Sequence, residues 1–168
     1  MVGSANSPVD FEPMVPTGDS IPAALRQKPG WLLGQISMHH HRLLIEALVS
    51  ADARPYHYRV LAALQEFGSS SQVDVGRHSG LDRSDVVATV DELVERGFVE
   101  RSADPVDRRR NIISITPGGR AHFRRLDKVL GTVQEALLSP LSSNQREQLI
   151  RLLTRIFEYH TDARSSGA

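Results

Sequence analysis

LDRSDVVATVDELVERGFVERSADPVDRRRNIISITPGG, residues 81–119, changes its hydrophobic period twice. Asp82 suits a helix N-cap. Val86, Val90, Leu93 and Val94 then recur at helical spacing until Gly97 closes the helix. Phe98 to Arg101 and Asn111 to Thr116 are rich in β-branched residues, bracket a charged loop containing Pro105, and read as two strands. Thr116-Pro117 is a cap followed by an N1 proline, and it opens a long helix through Leu126, Val129, Leu130, Val133 and Leu137. Just upstream, Ser69-Ser70-Ser71 offers caps for a short helix, Gln72 to His78, ended by Ser79-Gly80. A short helix, a glycine turn, a second helix and a hairpin, in that order, make a winged helix-turn-helix.

Working outward, Pro55 at an N1 position opens a helix that runs through Tyr58, Leu61 and Leu64 to Phe67-Gly68. Before it, Leu32, Leu33, Ile36, Leu43, Leu44, Leu48 and Val49 form a wide apolar stripe on a helix that starts near Trp31. Ser139-Pro140 stops the long helix. Leu141-Ser142 with Gln145 is then a capping box for a last helix carrying Leu149, Ile150, Leu152, Leu153, Ile156 and Phe157. These flanking helices have no sheet to pack on, so they are expected to pack on each other and on a second copy of the chain. The expected fold is mainly α with a small β-hairpin wing. Residues 55–116 are expected to form the winged helix-turn-helix lobe, a module that commonly binds DNA, residues 30–54 and 117–160 a helical dimerisation base, and residues 161–168 a disordered tail. Residues 1–29 hold five of the nine prolines and read as a flexible arm.

Composition narrows the function. The 168 residues contain no cysteine, which removes thiol catalysis, disulfides and cysteine-ligated metals. No apolar run is long enough for a membrane span and no secretory signal opens the chain, so a cytoplasmic address with no membrane partner is expected. Net charge is zero, yet its distribution is uneven: 18 of the 20 basic residues are arginine. Between Gly97 and Arg125 seven arginines face Glu100, Asp104 and Asp107, a local charge of +4. Arginine is the side chain suited to forked contacts with phosphate or a base edge. No nucleophile elbow, Walker loop, dinucleotide fingerprint or His-Glu-x-x-His helix occurs, so no enzyme and no cofactor are expected.

The run from Asp82-Arg83-Ser84-Asp85 through Leu93-Val94-Glu95-Arg96-Gly97-Phe98-Val99-Glu100-Arg101, then Asp104 to Arg109 and Ile115-Thr116-Pro117-Gly118-Gly119, resembles the MarR family of dimeric bacterial transcription regulators. The family pattern is a recognition helix ending in Leu-x-x-x-Gly-Leu-Val-x-Arg, a wing with Asp-x-Arg, and Leu-Thr-x-x-Gly. The likeness extends over about residues 31–159.

A hairpin tip bearing Asp107, Arg108, Arg109 and Arg110 suits a minor groove, whose negative potential attracts guanidinium groups. The resemblance makes Asp107 and Arg109 the Asp-x-Arg pair. Arg109 is then the inserted side chain, Asp107 its orienting partner, and Arg108 and Arg110 phosphate contacts. The recognition helix is expected to present Arg83, Ser84, Asp85, Ala88, Thr89 and Glu92, with Arg83 reading guanine and Ser84 or Thr89 touching bases or phosphates. Relatives often carry polar or basic readers where this chain has Val87, Ala88 and Glu92. Residues 73–96 also carry a net charge of −3. Modest direct base readout is therefore expected, with more specificity from the wing and DNA shape.

The resemblance also implies an effector pocket between the lobe and the base. The matching residues are Trp31, Met38, His41, Arg42, Tyr56, His57, Tyr58 and Phe123, which suit an aromatic or phenolic ligand. The seven histidines show no metal-ligand spacing: consecutive His39, His40 and His41 point about 100° apart on a helix and cannot share an ion. The expected protein is a homodimeric repressor of a pseudo-palindromic double-stranded operator, released by a small molecule. A protein-docking winged helix and a metal-responsive regulator are the alternatives.

Overall fold

The structure, a computed structural model, describes residues 21–104 and 110–165. The chain divides into two compact units, residues 1–39 and 40–168. The division falls inside a helix rather than between a base and a lobe. Nine elements longer than two residues follow in order among the described residues: α1 (Ala23–Arg26), α2 (Pro29–Ser50), α3 (Pro55–Phe67), α4 (Gln72–Ser79), α5 (Arg83–Glu95), β2 (Val99–Ala103), β3 (Asn111–Ile115), α6 (Pro117–Leu137) and α7 (Ser143–Ser165). A two-residue strand, β1 (Ser70–Ser71), lies between α3 and α4.

Four differences from the sequence reading stand out. Residues 21–29, read as arm, contain α1 and the first residue of α2. Ser71 caps α4, and with Ser70 it also forms β1, pairing antiparallel with β3 in the register Ser70↔Ile113 and Ser71↔Ile112. The wing is therefore part of a three-stranded sheet, β1-β3-β2, and not an isolated hairpin. Finally, α7 runs past residue 160 to Ser165.

The core of the second unit explains why the lobe holds its shape. Val60, Leu61 and Leu64 of α3, Val75 of α4, Val86, Val90 and Leu93 of α5, Val99, Ile113 and Leu126 are buried together. Helices α3 and α5 contribute side chains at three- and four-residue spacing, so one face of each turns inward. The start of α6 is held against β2. Thr116 Oγ1 accepts from the Gly119 N–H at 3.0 Å and donates to the Gly97 carbonyl at 2.8 Å. A Cβ on Gly119 would lie 1.9 Å from the Phe98 carbonyl oxygen. Only glycine permits that approach, which gives the Thr-x-x-Gly motif a packing reason.

Candidate nucleic-acid interface

The helix-turn-helix is fixed at three points. Ser71 caps α4: its Oγ accepts from the Asp74 N–H at 3.2 Å and donates to Asp74 Oδ2 at 2.7 Å. Asp82 caps α5, with Oδ1 accepting from the Asp85 N–H at 2.9 Å and from the Ser84 hydroxyl at 2.7 Å. Those bonds, the Asp85 N–H foremost, hold the Asp82 carboxyl below the usual carboxylate range. Between the caps, Gly80 takes φ 63 and ends α4 in the left-handed conformation. Arg59, reaching over from α3, donates from Nε to the Ser79 carbonyl and from Nη2 to the Gly80 carbonyl, both at 2.8 Å. These are charge-assisted bonds to carbonyls at the end of α4, where the helix dipole also favours a cation. Arg59 was not singled out from the sequence, because a pair separated by twenty residues leaves no local signal.

Helix α5 sorts its residues clearly. Val86, Thr89, Val90 and Leu93 are buried, Asp85 and Glu92 are half-buried, and Arg83, Ser84, Val87, Ala88, Asp91 and Glu95 are exposed. Thr89 is therefore a correction. At 6% exposure it lies on the inward face with Val86 and Leu93, three and four residues away. Glu92 also leaves the outward set: its carboxylate lies 3.2 Å from Arg54 and 3.2 Å from His57 Nε2, both on the α3 side. Arg83, Ser84, Val87, Ala88 and Asp91 stand on the exposed face of α5.

The acidic count of the region overstates its repulsion of phosphate. Asp91 is paired with Arg101 of β2 at 2.5 Å, Glu92 with Arg54, and Asp74 with Arg77. Two of those three arginines come from outside residues 73–96. Counting charge in one window missed them.

At the wing, the Asp104 N–H donates to the Arg110 carbonyl at 3.0 Å and closes the base of the loop. Arg110 is exposed, and its charge helps to lower the Asp74 carboxyl, whose main stabiliser is the Ser71 hydroxyl. Arg77, Arg83 and Arg110 therefore line one groove of about 710 Å³ between α4, the start of α5 and the wing base. Asp107, Arg108 and Arg109 lie outside the described residues.

The residues expected to line an effector pocket divide. Tyr58 and Phe123 stack at 5.3 Å, and the Tyr58 hydroxyl donates to Asp127 Oδ1 at 2.8 Å. Burial and then Asp127 push the Tyr58 hydroxyl up to about 12, so it stays protonated. Tyr56 is exposed beside Arg59, 5.9 Å from ring centroid to guanidinium carbon, on the helix-turn-helix side of α3. His57 is 1% exposed and committed to packing: Nδ1 accepts from the Arg54 N–H at 3.3 Å, leaving Nε2 as the protonated nitrogen facing Glu92. His41 and Arg42 are exposed on α2, and Trp31 and Met38 belong to the first unit.

A second buried histidine, His122, stacks on Phe98 at 4.1 Å, and its Nδ1 lies 3.0 Å from the Arg125 guanidinium. Arginine can only donate, so Nδ1 accepts and Nε2 carries the proton. No group among the described residues accepts from that nitrogen. Burial, with Arg125 next, lowers His122 to about 4. Among the described residues no three histidine, aspartate or glutamate side chains gather as a metal-ligand set.

Comparison with known proteins agrees with this architecture. The MarR family model matches residues 53–110, the segment from the start of α3 to the wing. The PcaV transcriptional regulator from Streptomyces coelicolor, solved with its natural ligand, is 30% identical, with a TM-score of 0.69 over 82% of this chain and 97% of that one. The chain belongs to the MarR family. Two further family-like structures bear on its chemistry. CouR, a transcriptional repressor bound to a 23-mer DNA duplex, is 26% identical with a TM-score of 0.72, over 80% of this chain and 95% of that one. BpsR of Bordetella bronchiseptica, whose DNA binding is regulated by 6-hydroxynicotinic acid, is 25% identical with a TM-score of 0.68, over 76% and 96%. In this MarR-family transcription regulator, α4, the start of α5 and the base of the wing line one exposed groove. No described helix is long and apolar enough to cross a membrane.

Proposed function

We propose that this MarR-family protein is a homodimeric repressor that holds α5 of each subunit in successive major grooves and the wing arginines in the flanking minor grooves. The observation that carries this reading is the shared exposed face. Arg77 of α4, Arg83 of α5 and Arg110 of the wing line one groove, while Asp74 is paired with Arg77 and Asp91 with Arg101. In the sequence Arg108 and Arg109 adjoin Arg110, and the family resemblance gives Asp107 the part of orienting Arg109. Operator half-sites about one helical turn, roughly 34 Å, apart match a two-fold dimer.

The dimer reading is supported by α7. Ile150, Leu152, Leu153, Ile156, Phe157 and Tyr159 are all exposed at helical spacing, an apolar face that a lone chain leaves in water. A second copy offers the same face in return.

Release by a small aromatic or phenolic ligand is supported by the Tyr58–Phe123 stack and by the likeness to a protein regulated by 6-hydroxynicotinic acid. A ligand against this stack would shift the lobes relative to the dimer base, with a coupling of about 1–3 kcal/mol if typical. Titrating 6-hydroxynicotinic acid and simple hydroxybenzoic acids into a protein–operator complex tests it. Dissociation by one of these acids, blunted in Phe123→Ala, is expected. A ligand that binds the free dimer and leaves operator affinity unchanged would sink the release mechanism.

A further inference from the structure

The outer face of α5 is unusual for a surface meant to read base edges, and its centre has so far been given no task. Along it, Arg83, Ser84, Val87, Ala88 and Asp91 follow one another at helical spacing, and with Asp82 they line a single shallow depression. The polar members are largely occupied. The Ser84 hydroxyl donates to Asp82, and Asp91 is held by Arg101. Among the described residues no ion pair engages Arg83. What remains at the centre is apolar: Val87, 38% exposed, with Ala88 beside it.

In a major groove, an exposed valine meets four kinds of base edge. Guanine, adenine and cytosine offer only donors and acceptors, and thymine adds the C5-methyl group. Pressing Val87 onto a purely polar edge would strip water from groups whose hydrogen bonds it cannot replace. Pressing it onto a thymine methyl buries apolar surface on both sides. We infer that Val87, supported by Ala88, is a thymine-methyl contact, and that each half-site carries a thymine next to the base pair faced by Arg83. The inference rests on the reading above that α5 is the helix in the major groove.

The test uses the full-length protein and the tightest duplex it selects from a random-sequence pool. Each thymine is replaced in turn by uracil, which removes the major-groove methyl and leaves pairing intact. Wild-type protein should lose about fourfold in affinity at one thymine per half-site, the equivalent of roughly 0.8 kcal/mol for one buried methylene-sized group. Val87→Ala, an exposed change that favours the helix, should bind the thymine and uracil duplexes within twofold of each other, with an unaltered salt dependence because no phosphate contact is lost. A uracil penalty that persists in Val87→Ala would assign the methyl to another side chain and overturn the inference. Methylating guanine N7 on the same duplex separates the two possible failures. If N7 methylation blocks binding while uracil is tolerated everywhere, α5 is in the groove and the valine assignment is wrong. If neither change matters, the placement of α5 falls as well.

Discussion

Gly119 shows how much one absent methyl can fix. Its neighbour Gly118 has the same composition and sits in the same turn, yet a Cβ there would meet only ordinary contacts, at 3.6 Å and beyond. Gly119→Ala should therefore destabilise the protein by about 3 kcal/mol or more, through a backbone clash with Phe98 that no rotamer relieves, whereas Gly118→Ala should cost about 1 kcal/mol or less. Chemical denaturation of the two variants side by side checks the contrast. The buried histidines make a second prediction. His57 and His122 are both lowered by burial, so the folded protein takes up fewer protons than the unfolded chain as pH falls through 6.5. Their stabilising contribution is present above that pH and is lost as the medium approaches the folded values, about 4 for His122. Lowering the pH from 7 to 5 should cost about 2 kcal/mol from His122 alone, and His122→Phe should flatten the slope of melting temperature against pH. The carboxyls of Asp74 and Asp82 act in the same direction only at lower pH, outside this window.

The elements were legible where a cap or a proline announced them. Asp82, Thr116-Pro117 and the Ser142–Gln145 box each begin a helix where the sequence put it; in the last, the Ser142 N–H donates to Gln145 Oε1 at 2.9 Å. Strand β1 was not legible. Two serines have no hydrophobic period, and they become a strand only because Ile112 and Ile113 of β3 lie opposite. The inward position of Thr89 could have been read, since it falls three residues after Val86 and four before Leu93. The ties between elements, by contrast, leave no mark on a linear sequence: Arg59 to the α4–α5 turn, Arg101 to Asp91, and Arg54 and His57 to Glu92. Arg59 yields the prediction for this level. Arg59→Ala frees two carbonyls of the turn and should lower stability by about 1–2 kcal/mol. It should also weaken DNA binding beyond what the lost charge explains, because α5 is then less firmly held. Arg59→Lys, which restores the charge but cannot bond both carbonyls together, should recover the salt dependence and only part of the affinity. Operator titrations at three salt concentrations distinguish these effects.

For the protein as a whole, zero net charge concealed both of its working surfaces. The basic one is local and arginine-built. The apolar one, on α7, was read from the sequence as part of a dimer base, and in the folded chain its side chains stand exposed from Ile150 to Tyr159. Leu153→Glu together with Ile156→Glu should convert the dimer to a monomer in sedimentation experiments while leaving the lobe folded. Operator affinity should fall roughly a hundredfold or more, since two linked half-site contacts become independent ones. The central claim concerns the wing, where Arg108 and Arg109 adjoin Arg110 in the sequence. The most direct measurement is fluorescence anisotropy on the DNA upstream of the coding sequence and on a pool-selected duplex, across a series of salt concentrations, with Arg109→Ala beside the wild type. The account predicts tight wild-type binding that falls steeply as salt rises, and a clear loss in Arg109→Ala with a shallower slope. Binding indifferent to salt, or no binding to any duplex at low salt, would contradict it.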